Sequence, residues 1–117
     1  MITIKANPGE LLCIGRYGED NHRRVAFDIS KWLKSYGSHG TVAVTYRRPG
    51  DAVPYNCDYV RDEDTVYWTA TAVETKVPPT ELGWIGINYI VGDTIAASER
   101  WRTCVSESML DGLTLNT

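Results

Sequence analysis

Leu82-Gly83-Trp84-Ile85-Gly86-Ile87-Asn88-Tyr89-Ile90-Val91-Gly92-Asp93, with the segment that follows it as far as Cys104, decides the fold. Apolar residues recur at every second position, the period of a half-buried strand rather than of a helix. Ile85, Ile87, Tyr89 and Val91 share one face and are expected in the core, leaving Trp84, Gly86, Asn88 and Ile90 on the other. Gly92-Asp93 is a two-residue hairpin signal, because Gly adopts the positive φ that such turns require. The whole stretch therefore reads as two strands folded back on each other.

The same pattern recurs upstream. Ile2-Thr3-Ile4-Lys5 alternates and stops at Asn7-Pro8-Gly9. Leu11-Leu12-Cys13-Ile14 is a continuous apolar run, short enough for a strand buried on both faces. Val25, Phe27 and Ile29 align on one side of a strand, as do Val42, Val44 and Tyr46. Pro49-Gly50 fits the centre of a type II turn. Residues 55–61 and 65–71 read as a hairpin around Asp62-Glu63-Asp64, and Pro78-Pro79 interrupts the ladder before the last hairpin. At Ser30 the period changes: an N-cap residue, then Trp32, Leu33 and Tyr36 at helical spacing, then Gly37 as a stop. Trp32 and Leu33 on this turn are expected to plug the core. The expectation is an all-β domain, an immunoglobulin-like β-sandwich of about 7–9 strands with one short helix near residues 30–36. A small barrel is the competing architecture. The sandwich is expected over residues 1–106, with 107–117 as a flexible C-terminal tail.

Composition narrows the function classes. A chain of 117 residues holds one core. Its 12 basic residues are outnumbered by 15 acidic ones, for a net charge of −3, and Arg23-Arg24 and Arg47-Arg48 are the only basic pairs. A nucleic-acid partner is not expected, since phosphate binding needs a basic stripe. Met1 to Ala6 is too short and polar for a signal peptide, and no apolar run approaches a membrane span, so residence in a reducing cytoplasm is expected. Cys13, Cys57 and Cys104 include no CxxC pair, which points to small buried thiols; one disulfide stays open.

Catalytic and metal-binding patterns are not recognisable. His22 and His39 lie in polar loops, and Asp62-Glu63-Asp64 has the setting of a solvated turn rather than a calcium loop. Gly15-x-x-Gly18 lacks the Lys of a phosphate loop, and no Ser sits in a Gly-x-Ser-x-Gly setting. Neither enzymatic activity nor a cofactor is expected. Four Trp and seven Tyr against one Phe leave two uses for aromatics outside the core. One is contact with another protein; the other is stacking on sugar rings.

Val25-Ala26-Phe27-Asp28-Ile29-Ser30-Lys31-Trp32-Leu33 resembles the VVFDVSEWL-type segment of small proteins encoded among the tail genes of phages and prophages of Gram-positive bacteria. Arg47-Arg48-Pro49-Gly50-Asp51-Ala52 with Pro54-Tyr55, then Val66-Tyr67-Trp68-Thr69-Ala70-Thr71, then 83–89, Ser98 and Thr103, follow in the same order. The resemblance implies a fold akin to the N-terminal immunoglobulin-like domain of baseplate upper proteins. It implies a virion structural role, as adaptor or oligomerisation unit in the tail tip, baseplate or fibre region. Partners would be further copies of the chain or other tail proteins. The chain would sit in the host bacterial cytoplasm during assembly and then in the virion. Gly83-Trp84-Ile85-Gly86 replaces a more polar start of the last hairpin in that group, and its outward residues suit a neighbouring subunit. Trp84, Trp101 and Tyr67 are the expected interface residues. The alternative is a carbohydrate-binding module for cell-surface glycans that uses the same aromatics.

Overall fold

The computed structural model describes residues 1–107. Nine strands form two sheets packed face to face, with two short helices at the margins. The strands are β1 (Ile2–Lys5), β2 (Leu12–Arg16), β3 (Arg23–Asp28), β4 (Thr41–Arg47), β5 (Tyr55–Cys57), β6 (Val60–Asp62), β7 (Thr65–Thr69), β8 (Gly83–Val91) and β9 (Thr94–Ser106). Helix α1 (Ser30–Tyr36) joins β3 to β4, and α2 (Ala72–Thr75) lies between β7 and β8. One sheet has the order β1-β3-β7-β6, the other β2-β9-β8-β4-β5. Within these, β3-β7-β6 facing β9-β8-β4-β5 is the B-E-D and G-F-C-C′ order of an immunoglobulin-like sandwich. The two N-terminal strands add parallel edges, β1 on β3 and β2 on β9. The tail expected over 107–117 lies, from residue 108 on, outside the described residues.

Alternation along the strands fills the space between the sheets. Val25 and Phe27, with Ile29 just beyond β3, meet Val42, Val44, Tyr46, Ile85, Ile87 and Tyr89, all buried. Tyr46 stacks on Trp68 across the sandwich with ring centroids 5.3 Å apart, and its hydroxyl shares a 2.7 Å hydrogen bond with Thr103. Burial pushes the Tyr46 hydroxyl up to about 12. Tyr89 donates to Gly37 O and accepts from Gly40 N, which fastens the end of the α1 connection to the core.

The two-residue turn of the last hairpin is present, with Gly92 at φ 60 and Val91 paired with Thr94. The Pro49-Gly50 turn closes with Gly50 at φ 85 and Asp51 N on Arg48 O at 3.0 Å. Several expectations need correction. Trp32 and Leu33 are half-buried, packed against the core rather than within it, since no residue of α1 is fully buried. Trp32 rests its ring 6.2 Å from that of Tyr89. The N-cap of α1 is Ile29, not Ser30, and the Asp28 carboxylate accepts from Ser30 N. Segment 55–61 is not one strand: β5 pairs with β4 and β6 with β7, so the chain changes sheets at Asp58-Tyr59. Strand β2 is an edge with Leu12 and Ile14 inward and Cys13 outward, not buried on both faces. Val91 lies beyond the core at the hairpin tip and is exposed.

Strand β7 stops at Thr69, short of the expected Thr71, and Thr71 instead caps helix α2. Thr71-Ala72-Val73-Glu74 is a capping box: the Thr71 hydroxyl accepts from Val73 N, and the Glu74 carboxylate accepts from Thr71 N at 2.8 Å.

Candidate functional site

The outer face of the five-stranded sheet carries the most unusual grouping of side chains. On β8 the inward set Ile85, Ile87 and Tyr89 leaves Trp84, Gly86 and Asn88 pointing out. On β9 the inward set Trp101, Thr103 and Val105 leaves Ser98, Arg100, Arg102 and Cys104 outward. Register then puts Trp84 opposite Arg102 on β9 and Arg47 on β4, and Gly86 opposite Arg100 and Thr45. The Arg100 and Arg102 guanidinium carbons lie 4.8 and 5.0 Å from the centre of the Trp84 ring. At such distances the ring quadrupole attracts each cation by roughly 0.5–1 kcal/mol.

Trp84 is a ridge between two clefts. One, of about 210 Å³, is lined by Thr45, Arg47, Pro54, Trp84, Gly86 and Arg100. The other, of about 430 Å³, lies on the side of Leu11, Leu82 and Arg102, with Trp84 and Arg100 again in its wall. Gly86 forms a notch in the first: a Cβ there would meet Thr45 Oγ1 at 3.2 Å.

Three arginines gather on this face, with Glu10 in the wall of the second cleft and Asp51 near enough to Arg47 to feel its charge. Among the described residues, the salt bridges are Arg23 with Glu19 and Arg48 with Asp51, so Arg47, Arg100 and Arg102 are in none. Their common ring places the Arg100 and Arg102 cations within about 10 Å of each other. Two like charges at that separation repel by roughly 0.4 kcal/mol in water and roughly 1.7 kcal/mol at the effective dielectric of a protein surface. An anion seated beside Trp84 relieves that repulsion.

The three residues expected at an interface do not come together. Trp84 is on the outer face described above. Tyr67, between buried Val66 and Trp68, faces out from the other sheet, on the opposite side of the molecule, with the Arg24 guanidinium 4.1 Å from its ring. Trp101 is a correction: it is a core residue, 4% exposed. Its ring centroid is 5.2 Å from that of Phe27, and its indole N–H donates to Asn7 O at 2.8 Å. The physical reason is a β-bulge. Val91 pairs with Thr94 and Ile90 with Ile95, but Tyr89 pairs with Ala97, so Ala96 is the extra residue. A hairpin without it would set Trp101 opposite Trp84 on the outer face; the bulge turns Trp101 inward. Arg100 and Arg102 were missed for the same reason, although their spacing from the turn was the available signal.

Other groupings serve the fold. Glu74, buried, accepts from Thr71 N, the Thr71 hydroxyl and the Tyr55 hydroxyl. Burial, reinforced by Glu74, raises the Tyr55 hydroxyl and lifts the Cys57 thiol to about 12, so both stay protonated at neutral pH. Cys57 is therefore a poor nucleophile. Cys13 and Cys104 are register partners on the outer face, and all three thiols are half-buried and free. His22 and His39 are exposed. Among the described residues, no group of three or more His, Cys, Asp or Glu could hold a metal ion, and no helix is long and apolar enough to cross a membrane.

Comparison with protein-family models, curated proteins and solved structures finds no match for this chain.

Proposed function

We propose that this protein is a non-catalytic binding module that works as an adaptor or oligomerisation unit, in the tail tip, baseplate or fibre region of a phage or prophage particle. The structural observation behind the binding reading is the Trp84 ridge with Arg47, Arg100 and Arg102 around it, none of them in a salt bridge among the described residues. Trp and Arg are the residue types that carry most binding energy at protein contacts. The phage setting draws on the motif series from Val25 to Thr103; the comparisons with known proteins do not contribute to it.

Glycan recognition is the weaker reading because of one feature. A neutral sugar needs a bare aromatic face, and two guanidiniums already lie over the Trp84 ring. Tyr67, on the outer face of the other sheet, carries Arg24 over its ring as well.

Two measurements separate the readings. Light scattering at micromolar concentration, with immunodetection of the chain in purified particles, tests the adaptor; a monomer absent from particles counts heavily against it. A glycan array followed by tryptophan fluorescence titration tests the alternative, which gains if the monomer binds a glycan and Trp84→Ala abolishes the signal.

A further inference from the structure

We propose that the partner of the Trp84 platform is a second copy of this chain, which docks through the acidic tip of its β6–β7 hairpin. The proposal rests on the reading of the chain as an oligomerisation unit and adds its contact. Asp62-Glu63-Asp64 is the only run of three consecutive acidic residues in the sequence. All three are exposed at the tip, where Asp62 pairs with Thr65 across Glu63-Asp64. None has a basic side chain in salt-bridge contact among the described residues. Arg61 beside them is committed elsewhere: it donates to Gly40 O at 2.7 Å and to Ser38 O at 3.1 Å.

Tip and platform cannot neutralise each other within one molecule, since the tip belongs to the four-stranded sheet and the platform faces away from it on the other. Between molecules they are complementary. Three carboxylates outside any salt bridge among the described residues would meet Arg47, Arg100 and Arg102, which are likewise in none. Arg100 lines both clefts, so it reaches the tip from either side. A carboxylate between Arg100 and Arg102 also removes the repulsion that the shared ring imposes. The contact joins two different surfaces, so it repeats head to tail and builds a ring or a filament.

The test uses the full chain, an R100Q/R102Q variant with the platform neutralised, and a D62N/E63Q/D64N variant with the tip neutralised. All five side chains are exposed, and each variant's far-UV circular dichroism and melting curve are compared with wild type. In sedimentation velocity at low salt, the wild type is expected to associate beyond a dimer, and each variant to bind itself at least about tenfold more weakly. Mixing the two variants restores one intact contact and is expected to give a 1:1 heterodimer that grows no further. Raising salt to about 0.5 M is expected to dissolve the wild-type assembly, as the Debye length drops to a few ångströms. The proposal is overturned if the wild type stays monomeric, if either variant associates like wild type, or if the mixture forms no heterodimer. Particle incorporation of the chain, scored separately, tells whether the adaptor reading falls with it.

Discussion

Replacing Trp101 with Ala tests the register on which the platform depends. Trp101 is 4% exposed, packs on Phe27 at 5.2 Å and donates its indole N–H to Asn7 O at 2.8 Å. Truncating a buried Trp costs about 3–5 kcal/mol from lost transfer energy and the cavity left behind. For a chain of 117 residues, each kcal/mol shifts the melting point by about 3–5 °C, so Trp101→Ala is expected to melt about 9–25 °C below wild type. Trp84→Ala removes a half-buried ring that two guanidiniums contact, and should cost about 1–2 kcal/mol. The assay is urea unfolding followed by far-UV circular dichroism, with both variants and wild type at one pH. Equal losses in the two variants, or a Trp101→Ala protein within about 1 kcal/mol of wild type, would refute the inward placement of Trp101 and with it the pairing of Trp84 with Arg102.

Three more outcomes follow from the packing. Gly40→Ala drives a Cβ into the Tyr89 ring, so the ring must leave its seat; a loss of about 2–4 kcal/mol is expected by chemical unfolding, from overpacking and the forfeited hydroxyl bonds. Deleting Ala96 removes the bulge residue yet preserves the pairing of 97–106 with β8, so stability should change by no more than about 1 kcal/mol, and a deletion variant that fails to fold contradicts the register. Alkaline pH should unfold the protein: burial raises Tyr46 from 10.0 to about 12, Cys57 from 9.0 to about 12 and Cys104 from 9.0 to about 11. The folded state then keeps protons that the unfolded chain releases, so stability is intact below about pH 9 and falls as pH rises towards 12; urea midpoints that stay level across that window argue against buried, protonated groups.

Much of the sandwich was legible because its signals are local. Alternation in 41–47 and 83–91 names the inward residues without knowledge of the partner strand, and Pro49-Gly50 and Gly92-Asp93 name their turns through φ alone. What was lost depends on competition between neighbours. Residues 55–61 look like one strand, yet the free edges of β4 and β7 each take half of them. Thr71 extends a β-rich run, but its hydroxyl and Glu74 three residues later satisfy the first amides of a helix, and that capping box stood in the sequence unread. Trp32 and Leu33 have helical spacing, but spacing does not say whether anything covers the helix from outside.

The platform was hidden by a single residue, and that residue explains why two of the four tryptophans have opposite fates. From the turn, an even count pairs Trp84 with Trp101 and sets two aromatics side by side on the surface, the pattern of a sugar-stacking strip. Ala96 makes the count odd. Trp101 then fills the core against Phe27, and the positions facing Trp84 pass to arginines 100 and 102. One small, unpaired residue thus exchanges an aromatic surface for a cationic one, and shifts the ligand it suits from a neutral ring to a carboxylate. Binding at this face should therefore weaken with salt, whereas a stacking site would be nearly indifferent to it.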